Sequence, residues 1–181
     1  MKYIFTLSIL LFTLGVQAQL VTGIATYWDD SFKEWQIFTE DEDIQGTLQP
    51  RWISRDDWSE WEWELADEQV SIKQAWRNDP TQWQIRSYDG DIVTCRAMWR
   101  NDLSKWKITN NSVSITLRPR WANNPNEWIV REKNYGQFTI YTNRENDPRD
   151  WHIQDELSEQ ITPNMKIALV FLAIYHSFPK E

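Results

Sequence analysis

Cysteine and histidine are scarce in this sequence, and their scarcity excludes several kinds of chemistry. The 181-residue chain has one cysteine, Cys95, so it cannot form an intramolecular disulfide and its core must hold it together. Two histidines, His152 and His176, and one cysteine are too few ligands for a typical zinc site. Neither histidine has an acid or serine partner in a recurrent motif. We therefore expect no catalytic residue, no metal and no cofactor, and a protein that is not an enzyme.

Positive charge is also in short supply. Nineteen Lys and Arg face twenty-seven Asp and Glu, which gives a formal net charge of −8. A general nucleic-acid binder needs a basic surface, so we expect no nucleic-acid partner. The acidic residues concentrate between residues 29 and 68, whereas residues 73 to 133 are mildly basic. This uneven pattern predicts one acidic side and one mildly basic side on the folded domain.

No apolar run is long enough to form a membrane-spanning helix, but the first residues resemble a secretory signal. Lys2 precedes a short apolar stretch over residues 3 to 14, and Val16-Gln17-Ala18 fits a signal-peptidase site. We expect residues 1–18 to be a signal peptide cleaved after Ala18 and the protein to be periplasmic or secreted. Residues 19–181 then form a single domain, which we expect to be a monomer.

Tryptophan, in contrast, is abundant, and its thirteen copies follow an internal repeat of about 23 residues. Residues 76 to 83 (WRNDPTQW) are echoed by residues 99 to 106 (WRNDLSKW) and 121 to 128 (WANNPNEW). Earlier copies span residues 28 to 35 and 52 to 61, the latter with two extra residues, and the last, residues 144 to 151, lacks its first tryptophan. The second tryptophans of repeats 1 to 6 are Trp35, Trp61, Trp83, Trp106, Trp128 and Trp151.

Each repeat has the pattern of a β-hairpin. Before the first tryptophan, apolar and hydroxyl residues alternate, and an apolar residue recurs two positions after the second tryptophan. The links are short and rich in Asn, Asp, Pro and Gly, which favours antiparallel pairing of successive strands. Six repeats predict about twelve strands in an up-and-down meander, and closure into a barrel would remove its two edges. A β-trefoil is the alternative fold.

The C-terminal segment departs from the repeat. Thr162-Pro163 is typical of a helix start, and the residues from Ile167 to Tyr175 are apolar without interruption. A helix that is apolar on every side must be buried on every side. The sequence therefore predicts an all-β fold with one C-terminal helix, over about residues 163–177, placed in the centre of the barrel.

This combination resembles the tubby-like β-barrel superfamily, which includes tubby, the phospholipid scramblases and the LURP-one-related proteins. The resemblance covers about residues 20 to 178 and is carried by the return strands WQI, WKI, WIV and WHI and by the terminal KIALVFLAIYHSF. It is that of a divergent bacterial secreted member. It implies twelve antiparallel strands around a hydrophobic helix and implies no catalytic residues.

Two groups of residues are candidates for ligand binding. Both tryptophans of each repeat share the parity of the apolar positions, so they are predicted to point inward and plug one end of the barrel. Trp58, in the two-residue insertion of repeat 2, is predicted to be the most exposed tryptophan. Five cations are expected on the outer wall, either as a basic stripe for anionic partners or as a solvated wall. They are Lys73, Arg86, Arg96, Arg118 and Arg131.

The acidic segments have a metal-binding interpretation and a simpler one. The Asn/Asp turns lack the alternating ligands of a calcium loop, so turn chemistry is the better explanation. Residues 40 to 43 (EDED) are the best metal candidate, although a solvated hairpin loop explains them as well.

These features together predict a non-catalytic exported module with a binding or structural role and an unknown ligand. The alternative is a carbohydrate-binding protein that uses the tryptophans at its rim, since aromatic faces suit sugar rings. An anionic lipid surface or a glycan surface is the expected kind of partner.

Overall fold

The structure, a computed structural model, describes residues 20–55, 57–122 and 124–179. The signal peptide expected over residues 1–18 lies outside these residues. Twelve β-strands are followed by one α-helix, α1, over Pro163–Tyr175. The strands are β1 (Val21–Thr26), β2 (Trp35–Thr39), β3 (Gln45–Pro50), β4 (Glu60–Leu65), β5 (Glu68–Gln74), β6 (Gln82–Ser87), β7 (Ile92–Trp99), β8 (Asp102–Thr109), β9 (Ser114–Trp121), β10 (Asn124–Glu132), β11 (Gly136–Arg144) and β12 (Asp147–Leu157).

The strands form a closed antiparallel barrel in which each strand pairs with its neighbours in sequence. β1 closes the barrel by pairing with β12, with Gly23 opposite His152 and Ile24 opposite Trp151. The predicted up-and-down barrel is therefore confirmed, and the β-trefoil alternative is wrong. Short connections force this topology, because a chain that turns within a few residues can only pair with the strand it has just left.

Alternation of side chains along each strand separates the core from the outer wall. In β6, Trp83 and Ile85 are buried while Arg86 is exposed, and in β7 Val93 and Cys95 are buried. The same period of two recurs around the barrel and lines the lumen with apolar side chains.

Helix α1 fills this lumen. Eleven of its residues are buried, and only Pro163 and Lys166 lie partly outside the core. It begins where predicted, at Pro163 after Thr162, but ends at Tyr175, two residues before the predicted end. Thr162 lies at the N-cap position without capping the helix, because its hydroxyl donates to Asp91 Oδ2 at 2.9 Å. The helix thereby enters beside the β6–β7 loop and runs toward the opposite end.

Candidate functional site: the tryptophan rim

The second tryptophan of every repeat is buried and makes the same hydrogen bond. Its indole Nε1 donates to the backbone carbonyl three residues earlier, over distances between 2.7 and 3.1 Å. In repeat 3, for example, Trp83 is fully buried and donates to the Pro80 carbonyl at 3.1 Å. A buried indole N–H without a partner would be destabilising, so this bond is what allows six tryptophans to line the lumen.

A second hydrogen bond shapes each turn. Four residues before the buried tryptophan, a side-chain oxygen accepts from the backbone N–H two residues later, as in Asp79, which accepts from Thr81 at 2.9 Å. The equivalent acceptors are Ser31, Asp57, Asp102, Asn124 and Asp147. Side-chain and backbone hydrogen bonds from Ser59, Thr81 and Ser104 lower the pKa of Asp57, Asp79 and Asp102. The Asn/Asp turns are thus explained by turn chemistry.

The buried tryptophans pack on the C-terminal half of α1 and the residues after it. The ring of Trp83 lies 4.8 Å from those of both Phe171 and Tyr175, and Trp106 stacks on His176. Burial raises the pKa of Tyr175 to about 12, so its hydroxyl stays neutral. These six tryptophans therefore serve the core, and the predicted inward plug is correct for them.

The first tryptophans have the opposite environment, and the prediction that they point inward is wrong. They retain exposed fractions of 45 to 67 %. These residues are Trp28, Trp52, Trp76, Trp99 and Trp121. In repeats 1 to 3 the strand ends before the tryptophan, and in repeats 4 and 5 the register shifts beside it. The alternation that would turn the indole inward is therefore broken in each case.

These five exposed residues form what we call the tryptophan rim. Each stands at or beside a loop that joins an odd-numbered strand to the next even-numbered one, and all such loops lie at the same end of an up-and-down barrel. Tyr27, Ile53 and Met98 are exposed beside them. In repeat 6 Arg144 takes the place of the tryptophan. One end of the barrel thus presents an aromatic surface to solvent.

Trp58 does not belong to this surface, and the prediction that it is the most exposed tryptophan is wrong. It is half-buried and packs on the core, with its ring 5.7 Å from those of Trp61 and Phe178. Lys33 Nζ lies 5.6 Å from its ring centroid. Trp58 has the position of Phe32 in repeat 1, three residues before the buried tryptophan, and both rings pack on Phe178.

Arginines accompany two of the rim tryptophans. Arg51 and Arg55 lie over the ring of Trp52, at 5.6 and 5.2 Å, and Arg120 lies 5.6 Å from the ring centroid of Trp121. A guanidinium held over an indole restricts the ring without burying it. The rim therefore combines flat apolar faces with fixed hydrogen-bond donors.

The opposite end of the barrel is acidic. Its loops, residues 40–44, 66–67, 88–91, 110–113, 133–135 and 158–162, form what we call the acidic rim. They carry one basic residue, Lys133, and eight carboxylates. The carboxylates are Glu40, Asp41, Glu42, Asp43, Asp67, Asp89, Asp91 and Glu159. The sequence predicted an acidic side from residues 29 to 68, and these residues supply five of the eight carboxylates of the acidic rim.

Residues of the predicted basic stripe face outward as expected, but they do not form a single line. Arg96 on β7 pairs with Lys107 on β8. On its other side Lys107 pairs with Thr116 on β9, two residues before Arg118. Lys73 instead contacts Glu60 Oε2 at 3.4 Å, and Arg86 donates to Gln84. Arg131 lies on β10 opposite Gln137. The sequence missed Lys107, which lies between Arg96 and Arg118.

Cys95 lies in the core, whereas His152 lies on the outer wall. Cys95 is completely buried, and burial raises the pKa of its thiol far above the ordinary value. His152 stacks on Tyr141. Among the residues that the structure describes, including residues 40 to 43, no three His, Cys, Asp or Glu side chains are grouped as a metal site. In the same described ranges, no helix has the length and apolar character to cross a membrane.

Comparisons of the chain with protein-family models, with curated proteins and with solved structures found no match. Function must therefore be inferred from the geometry of the barrel and its two rims.

Proposed function

We propose that this chain is a non-catalytic, exported binding module with a tubby-like barrel and that it contacts its ligand through the tryptophan rim. One observation carries the proposal: in each of the first five repeats the second tryptophan is buried with its N–H satisfied, while the first is exposed at one end. The core is complete without the exposed set. Large aromatic side chains gathered on a surface are typical of a contact surface.

Two further features support the rest of the proposal. Lys2, the apolar residues 3 to 14 and Val16-Gln17-Ala18 support export. The complete burial of Cys95 supports a non-catalytic role, because a thiol that no substrate can reach does not act as a nucleophile.

The test is a binding screen against a glycan array and against phosphatidylcholine and phosphatidylglycerol vesicles. The rim variant carries Trp76→Ala, Trp99→Ala and Trp121→Ala, and the matched control is Tyr88→Ala, which removes an aromatic side chain that is 88 % exposed at the acidic rim. We expect saturable binding to one of these surfaces that the rim variant loses and the control retains. Binding that the rim variant retains, or no binding to any of these surfaces, would contradict the proposal.

The outer-wall cations favour a second candidate, an anionic surface as ligand. Arg96 stands directly opposite Lys107, and like charges in cross-strand pairs destabilise a sheet unless a counterion offsets them. If this cluster binds anionic lipid, binding to phosphatidylglycerol vesicles falls steeply with salt, since exposed charges are screened within about 10 Å at 0.1 M. Arg96→Gln with Arg118→Gln should then abolish binding, whereas Lys133→Gln should not. Salt-insensitive or absent binding would leave these residues as a solvated wall.

A further inference from the structure

A cleft of about 520 Å³ opens on the outer wall at the tryptophan rim. It lies over β9 to β12, where repeats 5 and 6 meet, and its lining includes Trp121 and Tyr141. The repeat changes at this place, because repeat 6 has Arg144 where the other repeats have the exposed tryptophan. Glu145, next to Arg144, lines the cleft. The cleft therefore lies at the place where the repeat is irregular.

The two aromatic side chains of the cleft are held in place by their neighbours. Trp121 is 60 % exposed, and Arg120 lies over its ring while donating to Glu127 Oε1 at 2.7 Å. Tyr141 is half-buried and stacks on His152 with 5.7 Å between ring centroids. Rings fixed in advance lose little conformational entropy when a ligand stacks on them.

The polar lining is mixed in character and also partly fixed. Asn124 accepts from the backbone N–H of Asn126 at 2.9 Å, and the Asn126 amide donates to Asn146 at 3.1 Å. Asn124 and Asn126 line the cleft, together with Gln154 from β12. Planar amides present a donor and an acceptor side by side, an arrangement that suits vicinal hydroxyl groups.

The charge of the cleft argues against an anionic ligand. Its one cation, Arg120, is already paired with Glu127, and Glu145 adds a further carboxylate. A phosphate or sulfate would meet more negative than positive charge here. A pyranose ring, in contrast, offers a C–H face for an aromatic ring and a border of hydroxyls for amides and carboxylates.

We propose that this cleft binds a neutral oligosaccharide, with Trp121 stacking on one sugar ring and Asn126, Glu127 and Gln154 hydrogen-bonding to its hydroxyls. This inference rests on the proposed function, since it places one binding site at the tryptophan rim. The open shape of the cleft lets a glycan chain pass across it rather than enter by one end.

The experiment titrates the purified protein with cellohexaose, xylohexaose, mannohexaose, maltohexaose and chitohexaose, by calorimetry and by NMR of the indole N–H signals. At least one hexaose is expected to bind saturably and to shift the Trp121 signal. Trp121→Ala should weaken that binding about tenfold or more, which corresponds to the loss of one stacking contact. The matched control is Trp76→Ala, an exposed rim tryptophan outside the cleft, which should leave binding within about twofold of wild type. Circular dichroism establishes that both variants are folded.

The outcomes separate this inference from the proposed function. If a hexaose binds and Trp76→Ala weakens its binding while Trp121→Ala does not, the cleft is not the binding site, and the proposal that the tryptophan rim contacts the ligand stands. If no hexaose binds saturably while phosphatidylcholine vesicles bind through the rim, the ligand is not an oligosaccharide, and the proposal that the tryptophan rim contacts the ligand again stands. If no hexaose and no vesicle binds, both fail. A hexaose shortened during the incubation would overturn the non-catalytic role.

Discussion

Trp76 and Trp83 belong to the same turn of repeat 3, yet their environments are opposite. Trp76 is 67 % exposed, whereas Trp83 is fully buried against Phe171 and Tyr175. The two residues therefore separate stability from surface recognition within one repeat, and substitutions at them should have separate effects.

Trp83→Ala should destabilise the protein by about 3–5 kcal/mol, because it leaves a large cavity and frees the Pro80 carbonyl of its indole partner. Trp76→Ala, the matched control, should change the free energy of unfolding by less than about 0.5 kcal/mol. Urea unfolding followed by circular dichroism measures both. Similar losses for the two variants would contradict the assignment of the first tryptophans to the surface.

The sequence predicts the buried tryptophans correctly and fails for the exposed ones for a reason that lies in the backbone. Parity along a strand holds only while the strand continues in register. β5 ends at Gln74, two residues before Trp76, and the register of β7 shifts between Ala97 and Trp99. Neither event leaves a signal in the sequence, because an apolar residue stands four positions before the first tryptophan in each of repeats 1 to 5. The prediction for Trp58 failed because it assigned this residue to the insertion, whereas the hydrogen bond from Trp61 gives Trp58 the regular turn position that Pro80 has in repeat 3.

The Asp-centred turns predict a pH dependence of stability. The pKa of Asp79 is lowered in the folded protein by hydrogen bonds from the Thr81 side chain and backbone, so the folded state favours the ionised carboxylate. This stabilisation is present above the ordinary value of 3.8 and is lost as the pH falls below it through the folded-state pKa. Asp57 and Asp102 behave in the same way. The urea midpoint should therefore fall as the pH is lowered from about 5 toward 2.

Asp79→Asn should reduce that acid dependence while keeping the acceptor for the Thr81 N–H. Repeat 5, which has Asn124 at this position, shows that the amide fits the turn. Asn124→Asp is the converse variant and should steepen the dependence. Urea midpoints at several pH values measure both effects, and identical profiles for wild type, Asp79→Asn and Asn124→Asp would show that the turns do not contribute.

At the scale of the element, α1 is the largest single contribution to the core. Eight large apolar side chains of the helix are buried, each contributing roughly 1.5–3 kcal/mol, which together exceed the net stability of about 5–15 kcal/mol of a typical domain. Removal of the chain after Thr162 should therefore abolish folding. A truncated protein that melts sharply near the full-length midpoint, as measured by tryptophan fluorescence, would refute the central position of the helix.

Ala168→Asp tests the same helix without shortening the chain. Ala168 is fully buried, so an aspartate there forces a carboxylate into the apolar lumen, and we expect most of the folded population to be lost. Pro179→Asp is the matched control, because Pro179 is exposed just beyond the lumen, and it should melt like wild type. The position of the helix was predictable because its apolar run is continuous. Its end was not, since His176, Ser177 and Phe178 are compatible with a further turn before Pro179.

On the scale of the whole molecule, closure of the barrel protects the backbone amides of the first strand from hydrogen exchange as well as those of any other strand. β1 is flanked by β2 and β12, so its amides have partners on both sides. Hydrogen exchange in peptides covering residues 21–26 and 147–157 should be within about an order of magnitude of that in residues 82–99, while the exposed residues 51–55 should exchange rapidly. Much faster exchange in residues 21–26 would mean that the barrel opens at this seam. The short links made the meander predictable, whereas the pairing of β1 with β12 has no local sequence signal, because it joins residues more than a hundred positions apart.

The central place of α1 also determines when the chain can acquire its structure. The strand that β1 needs as its partner and the helix that occupies the lumen are synthesised after the other eleven strands. The barrel must close around the helix, because a lumen lined by six indoles leaves no passage for a helix to thread afterwards. An incomplete chain therefore stays open, with early hairpins and no finished core, and folding of this long-range topology is slow. For the export that we propose, this order of events is favourable, since a translocation channel accepts a chain that has not yet folded.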